Sequence, residues 1–166
     1  MADHVDLILK QWQAQRPDLD ASPMAVIGRL SRLHRLIDAE LRRTFAACGL
    51  DSASFDVLAT LRRSDPPHQL TPAELMHASM ITSGAVTQRL DRLEARGLVT
   101  RAPSESDGRG VVVTLTGEGL ALIDQALPAH LETEERVLSA LTGKRRAELA
   151  ELLRDLLESL GDGTDR

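Results

Sequence analysis

Four polar side chains in one short stretch, Ser83, Thr87, Gln88 and Arg92, are spaced to hydrogen-bond a single surface. On a helix that turns about 100° per residue, Gly84, Gln88, Asp91, Arg92 and Ala95 share one side, with Thr87 at its border. Val86, Leu90 and Leu93 share the opposite side. A glutamine amide matches the donor and acceptor edge of adenine, and a hydroxyl can reach either groove partner. Arg92 is placed to meet a phosphate, and Ser83 and Gly84 leave backbone N–H groups at the helix start that suit a phosphate oxygen. Arg109 stands two residues after Asp107 in a polar loop. A loop-tip arginine suits the negative potential of a narrow minor groove, with Asp107 orienting it. Taken alone, the helix also reads as an ordinary amphipathic surface helix, and Asp107/Arg109 as a surface ion pair of little energetic value.

The flanking elements decide between these readings. Thr71 caps a short helix, with Pro72 at its first position and Glu74 completing a capping box. After a brief turn, Thr82 or Ser83 opens the polar-faced helix, and Gly97 ends it. Two apolar strand-like runs follow, Leu98 to Arg101 and Val111 to Leu115, joined by the polar loop APSESDGRG. Two helices, a turn and a hairpin wing are the arrangement that places one helix in a DNA groove.

Upstream, Val5, Ile8, Leu9 and Trp12 recur at helical spacing over residues 3–15. Ser22-Pro23 reads as the cap and first position of a long helix striped by Val26, Leu30, Leu33, Ile37, Leu41 and Phe45, which Gly49 stops. Phe55, Leu58 and Leu61 mark a shorter helix, and residues 68–70 a short strand. Downstream, Thr116 starts a helical stripe of Leu120, Ile123, Leu127 and Leu131, and leucines 149–160 form a last one. These terminal helices carry more apolar face than a small wing module can cover, which predicts that they pack against a second copy, the alternative being a monomer with a helical cap. The fold class is mainly α with a small β wing. We divide the chain into residues 1–48 (N-terminal helix and long helix), 49–115 (winged helix-turn-helix) and 116–166 (C-terminal dimerisation helices).

Of 166 residues, 42% are hydrophobic but only 2% aromatic, so the core must be aliphatic, which suits helices. The net charge of −5 argues mildly against a polyanion partner, but it does not describe the local patch. Apart from Lys10 and Lys144 the basic residues are arginines, whose planar fork suits phosphates and guanine edges. No signal-like or membrane-spanning run is present, and a cytoplasmic location with no membrane partner is expected. There is no Gly-rich phosphate loop, nucleophile elbow or metal triad, so neither an enzyme nor a cofactor is expected. His4, His34, His68, His77 and His130 are scattered without ligand spacing.

The ordered run Leu70-Thr71-Pro72-x-Glu74-Leu75, Ser83-Gly84-Ala85-Val86-Thr87, Asp91-Arg92-Leu93-Glu94, Gly97-Leu98-Val99, Asp107-x-Arg109 and Leu115-Thr116 resembles the MarR family of transcriptional regulators. The resemblance spans about residues 24–160. It implies a homodimer of winged helix-turn-helix subunits that binds double-stranded DNA at a pseudo-palindromic operator, usually as a repressor. Gly108 departs from the pattern, where the family commonly has another arginine, and this weakens the expected phosphate contact at the wing.

Gln11-Trp12, Arg16-Pro17-Asp18-Leu19-Asp20, Ser22-Pro23-Met24, Gly28-Arg29-Leu30 and Phe55-Asp56-Val57-Leu58 are similar to the PecS-like, urate-responsive branch, which carries an extra N-terminal helix. That likeness implies a small anionic effector, urate or a related purine or organic acid, with Trp12, Asp56, Arg89 and Arg101 as its determinants. Trp12 would stack on a flat ring and Arg89 would offer a bidentate fork. Asp56 and Arg101 are expected to form an ion pair that an arriving anion disturbs. Singly, each has a plainer role in packing, helix-dipole pairing or phosphate contact. Two alternatives remain open: oxidant sensing through Cys48, which sits at a helix C-terminus that disfavours the thiolate, and a winged-helix interaction scaffold that does not read DNA.

Overall fold

The computed structural model describes residues 2–79, 86–103 and 110–163, and the chain runs α1 (His4–Gln15), α2 (Met24–Ala47), α3 (Ser52–Arg63), β1 (Gln69–Leu70), α4 (Pro72–Ala78), α5 (Val86–Ala95), β2 (Val99–Pro103), β3 (Val111–Leu115), α6 (Gly117–Val137), a 3-10 turn (Leu138–Ala140) and α7 (Gly143–Ser159). The fold is a winged helix flanked by N- and C-terminal helices, as the pattern of elements predicts.

The helix boundaries follow local signals. Asp51 caps α3 by accepting from the Ser54 backbone N–H at 2.7 Å. At α4 the capping box forms as expected: the Thr71 N–H donates to Glu74 at 2.7 Å, and the Glu74 N–H donates to the Thr71 hydroxyl at 3.3 Å. Thr116 caps α6. Gly49 at φ +67° and Gly97 at φ +71° take the left-handed conformation that ends α2 and α5. The start of α2 corrects one expectation. Pro23 occupies the cap position with no side-chain hydrogen bond, and the Ser22 hydroxyl donates to Asp20 at 3.0 Å. The nearby aspartate accepts the hydrogen bond from the Ser22 hydroxyl, so Ser22 does not cap the helix.

The sheet has strand order β1-β3-β2 and is antiparallel throughout, with Leu70 opposite Val113 and Arg101 opposite Val113 on the other side. Its inner face joins Leu58 and Leu61 of α3, Leu75 of α4, Leu90 and Leu93 of α5, and Ile123 of α6 in one aliphatic core. Each such side chain contributes about 1.5–3 kcal/mol on burial. Phe45 and Phe55 stack with ring centroids 4.2 Å apart, and His130 of α6 lies 4.7 Å from Phe55. Thus α2, α3 and α6 meet beneath the wing module.

The outer helices look different. Val5 of α1 is buried against Gly28 of α2, and Arg29 clasps Asp3 and Asp6 at 2.8 and 2.7 Å, which seats α1 on α2. By contrast α7 contains no buried residue, and Leu152, Leu156, Leu157 and Leu160 stand exposed along it. Met24, Val26, Ile27, Leu33 and Leu36 do the same along α2. No helix among the described residues is long and apolar enough to cross a membrane.

Candidate nucleic-acid interface and effector pocket

Helix α5 is held by its apolar back. Leu90 and Leu93 are buried in the core, so Thr87, Gln88, Asp91 and Arg92 face outward. This is the division the sequence predicts, and it leaves a row of hydrogen-bonding groups on the solvent side of a firmly seated helix. Ser83, Gly84, Asp107 and Arg109, the other expected DNA contacts, lie outside the described residues.

Among the described residues, three polar contacts tie α5 and the turn after it to their surroundings. At its C-terminal end, Arg96 donates through Nη1 to the Gly49 carbonyl at 2.9 Å, which links α5 to the loop between α2 and α3. Past Gly97, the Thr116 hydroxyl donates to the Gly97 carbonyl at 2.7 Å, joining the turn after α5 to the start of α6. The third contact overturns an expectation. Arg101 on β2 was expected to pair with Asp56. Its guanidinium is held instead by α5, donating to Glu94 through Nε at 2.9 Å and Nη2 at 2.5 Å and pairing with Asp91 at 2.7 Å. The Arg101 N–H also donates to Glu94 at 3.0 Å. The turn at Gly97 folds β2 back along α5, which brings carboxylates seven and ten residues upstream onto Arg101. Hydrogen bonds from the Arg101 guanidinium hold the Glu94 carboxyl below its ordinary range against the opposing effect of burial, and hydrogen bonds to Glu94 and Asp91 raise Arg101. Asp56 is half-buried on α3.

Arg89 lies on the flank of α5, half-buried, in a cleft of about 390 Å³. Arg42 of α2 and Asp51 and Ser52 at the start of α3 line the same cleft. Ala46, Leu50 and Ala53 supply its apolar wall. Burial alone would raise the Asp51 carboxyl. Hydrogen bonds from Ser54 and the nearby Arg89 charge outweigh it, and the group is lowered. Of the four expected effector determinants, Arg89 is in this lining. Trp12, Asp56 and Arg101 are not among its lining residues. Trp12 is 42% exposed on α1. Cys48 is half-buried at the C-cap of α2, packed against the core.

Sequence reasoning missed Arg42, Ser52, Glu94 and Arg96. Glu94 carried a usable signal, a carboxylate before Gly97 and a cation after it, as expected for charges apposed across a helix-to-strand turn. Arg42 and Ser52 carried none, because only packing brings α2 and α3 to the flank of α5.

Residues 49–110 match the model of the MarR family. The chain is 44% identical over 146 residues to the HTH-type transcriptional regulator PecS of Dickeya dadantii, covering 88% of each. Among solved structures it superposes, with a TM-score of 0.79 and 27% identity, on a MarR family transcriptional regulator from Streptomyces coelicolor in complex with DNA, covering 89% of this chain and 96% of that one. A mutant of Escherichia coli MarR complexed with operator DNA matches with a TM-score of 0.72 and 30% identity, over 84% of this chain and 99% of that one.

Proposed function

The chain belongs to the MarR family of transcriptional regulators, and from that premise we propose that it is a homodimeric DNA-binding repressor released from its operator by a small anionic effector of the urate class. The observation that carries the DNA-binding part is α5: an aliphatic back locked in the core, and Thr87, Gln88 and Arg92 outward on its exposed face. Likeness to two structures solved with DNA supports the same reading.

Dimerisation follows from the bare apolar faces of α2 and α7. A monomer would leave Leu152 62% exposed and Leu160 83% exposed with several leucines beside them, a surface that a second copy buries. Two copies would present two α5 helices to successive turns of duplex, about 34–36 Å apart. A shift of a few ångströms in α5 would take both out of register.

The effector reading rests on Arg89. It is the one expected determinant in a cleft that touches the long helix α2, the start of α3 and α5 together. An anion drawn to it would act on the helix that faces DNA. Arg101 then has a coupling role, carrying any movement of α5 into the wing strand β2 through Glu94 and Asp91. Trp12 acts from α1, and Asp56 from within α3.

The test is fluorescence anisotropy of the full chain on duplex DNA from the region upstream of its own gene, with and without urate. Salt-sensitive binding that urate reverses is expected, with Trp12→Ala and Arg89→Ala blunting the release. Tight binding that urate leaves intact, but peroxide reverses, would shift the reading to Cys48.

A further inference from the structure

The apolar stripe of α7 begins with a charge. Arg146, Leu149, Leu153, Leu156 and Leu160 follow one another at alternating spacings of three and four residues, which puts them on one side of α7, with Leu160 at its C-cap. Arg146 and Leu153 are half-buried, and the other leucines of the stripe stand exposed. Such spacing is the pattern by which one helix seats against another. Within the chain α7 has no buried residue, so the stripe stays bare. Each copy also offers a second bare apolar face, on α2, and two unlike bare faces per copy suit the self-complementary surface of a two-fold dimer. The occupant is a second copy of this chain.

An arginine at the head of that stripe needs compensation, and the chain supplies it internally. Nη1 and Nη2 of Arg146 donate to the two oxygens of Glu135 on α6 at 2.5 and 2.7 Å. Its Nε donates to the Leu141 carbonyl at 3.1 Å, in the turn between the two helices. This is the ion pair that joins α6 to α7 among the described residues. Hydrogen bonds from Arg146 hold the Glu135 carboxyl below its ordinary range, so the pair is ionised at neutral pH.

Resting on the dimer reading above, we infer that the Arg146–Glu135 clasp sets the register of the homodimer, by fixing the angle of α7 on α6 and placing one compensated charge at the end of an otherwise aliphatic stripe. A purely aliphatic stripe lets a partner helix seat in several registers, one turn apart. A charge at one end admits the seating that leaves its fork on Glu135, because sliding leucines over the pair would strip it of water without replacing a hydrogen bond. Register matters here because it sets the separation of the two α5 helices on the duplex.

The experiment is analytical ultracentrifugation of the full chain over a concentration series, with circular dichroism of each variant to check the fold. Glu135→Gln leaves the arginine without its carboxylate, and Arg146→Gln leaves the carboxylate without its arginine. Each is expected to weaken the dimer about tenfold or more with helical content kept. Replacing both, Arg146→Leu with Glu135→Gln, is expected to regain wild-type affinity but to sediment as a mixture of dimers and larger species. Arg145→Gln removes a charge from the exposed neighbouring side chain and should dimerise as wild type does. If the two single variants, correctly folded, dimerise as tightly as wild type, the clasp has no part in the interface and the inference is overturned while the dimer reading stands. If the double variant remains a uniform dimer, the role in register is overturned. If the wild type is itself a monomer over the whole series, the dimer reading falls, and this inference with it.

Discussion

Arg101 on the first wing strand grips Glu94 on α5 through both Nε and Nη2, while its own backbone N–H donates to the same carboxylate. One carboxylate thus receives three hydrogen bonds from a residue on the far side of the Gly97 turn. The wing strand and α5 are thereby fastened at a point away from the core, and their relative angle depends on this clasp as well as on Leu93 and Val99 beneath it.

Removing the clasp should loosen the wing without unfolding the domain. Arg101→Ala is expected to lower operator affinity several-fold, with a modest drop in melting temperature, since the ion pair is partly exposed. The sign of its pH dependence follows from Glu94, whose folded pKa is lowered by Arg101. The clasp's stabilisation is complete above the unfolded glutamate value of about 4.3 and is lost as pH falls through the lower folded value. The stability gap between wild type and Glu94→Gln, followed by denaturant titration from pH 7 to pH 3, should therefore close in acid. A gap that widens on acidification would contradict this.

Gly119 is fixed by a close approach. A Cβ there would stand 2.0 Å from the Leu98 carbonyl oxygen and 2.9 Å from Leu115. Because backbone must move, Gly119→Ala is expected to cost about 3 kcal/mol or more. Gly143, with open space where a Cβ would go, is the control, and alanine there should be neutral or slightly stabilising. Equal melting temperatures for the two variants would refute the packing argument.

The exposed leucines of α7 predict an assembly phenotype. Leu152→Glu combined with Leu156→Glu places charge in the middle of the bare stripe while touching nothing buried in the chain. Sedimentation should show a shift from dimer to monomer, with helical content kept and operator binding lost. A variant that stays dimeric would move the interface elsewhere.

Operator contacts separate by salt and by sequence. Arg92→Ala should lower affinity for all duplexes alike and reduce the salt slope by about one. Gln88→Ala should cost about 1–3 kcal/mol on the preferred operator and much less on unrelated DNA. Arg109→Ala is expected to resemble Arg92→Ala. An unchanged salt slope in both arginine variants would remove them from the phosphate contacts.

The sequence alone determined what depends on neighbours within a few residues: the Thr71/Glu74 box, the glycine stops at 49 and 97, and the apolar back of α5 at Leu90 and Leu93. Helix periodicity and caps are local physics, so they can be read along the chain. Local rivals can still decide otherwise, as when Asp20 takes the Ser22 hydroxyl. Tertiary structure alone decided which carboxylates Arg101 would meet, and that Arg42, Ser52 and Arg89 would share one cleft. Long cationic side chains reach whatever charge the fold brings near, and that depends on how α2, α3 and β2 pack around α5, a relation no spacing in the sequence encodes.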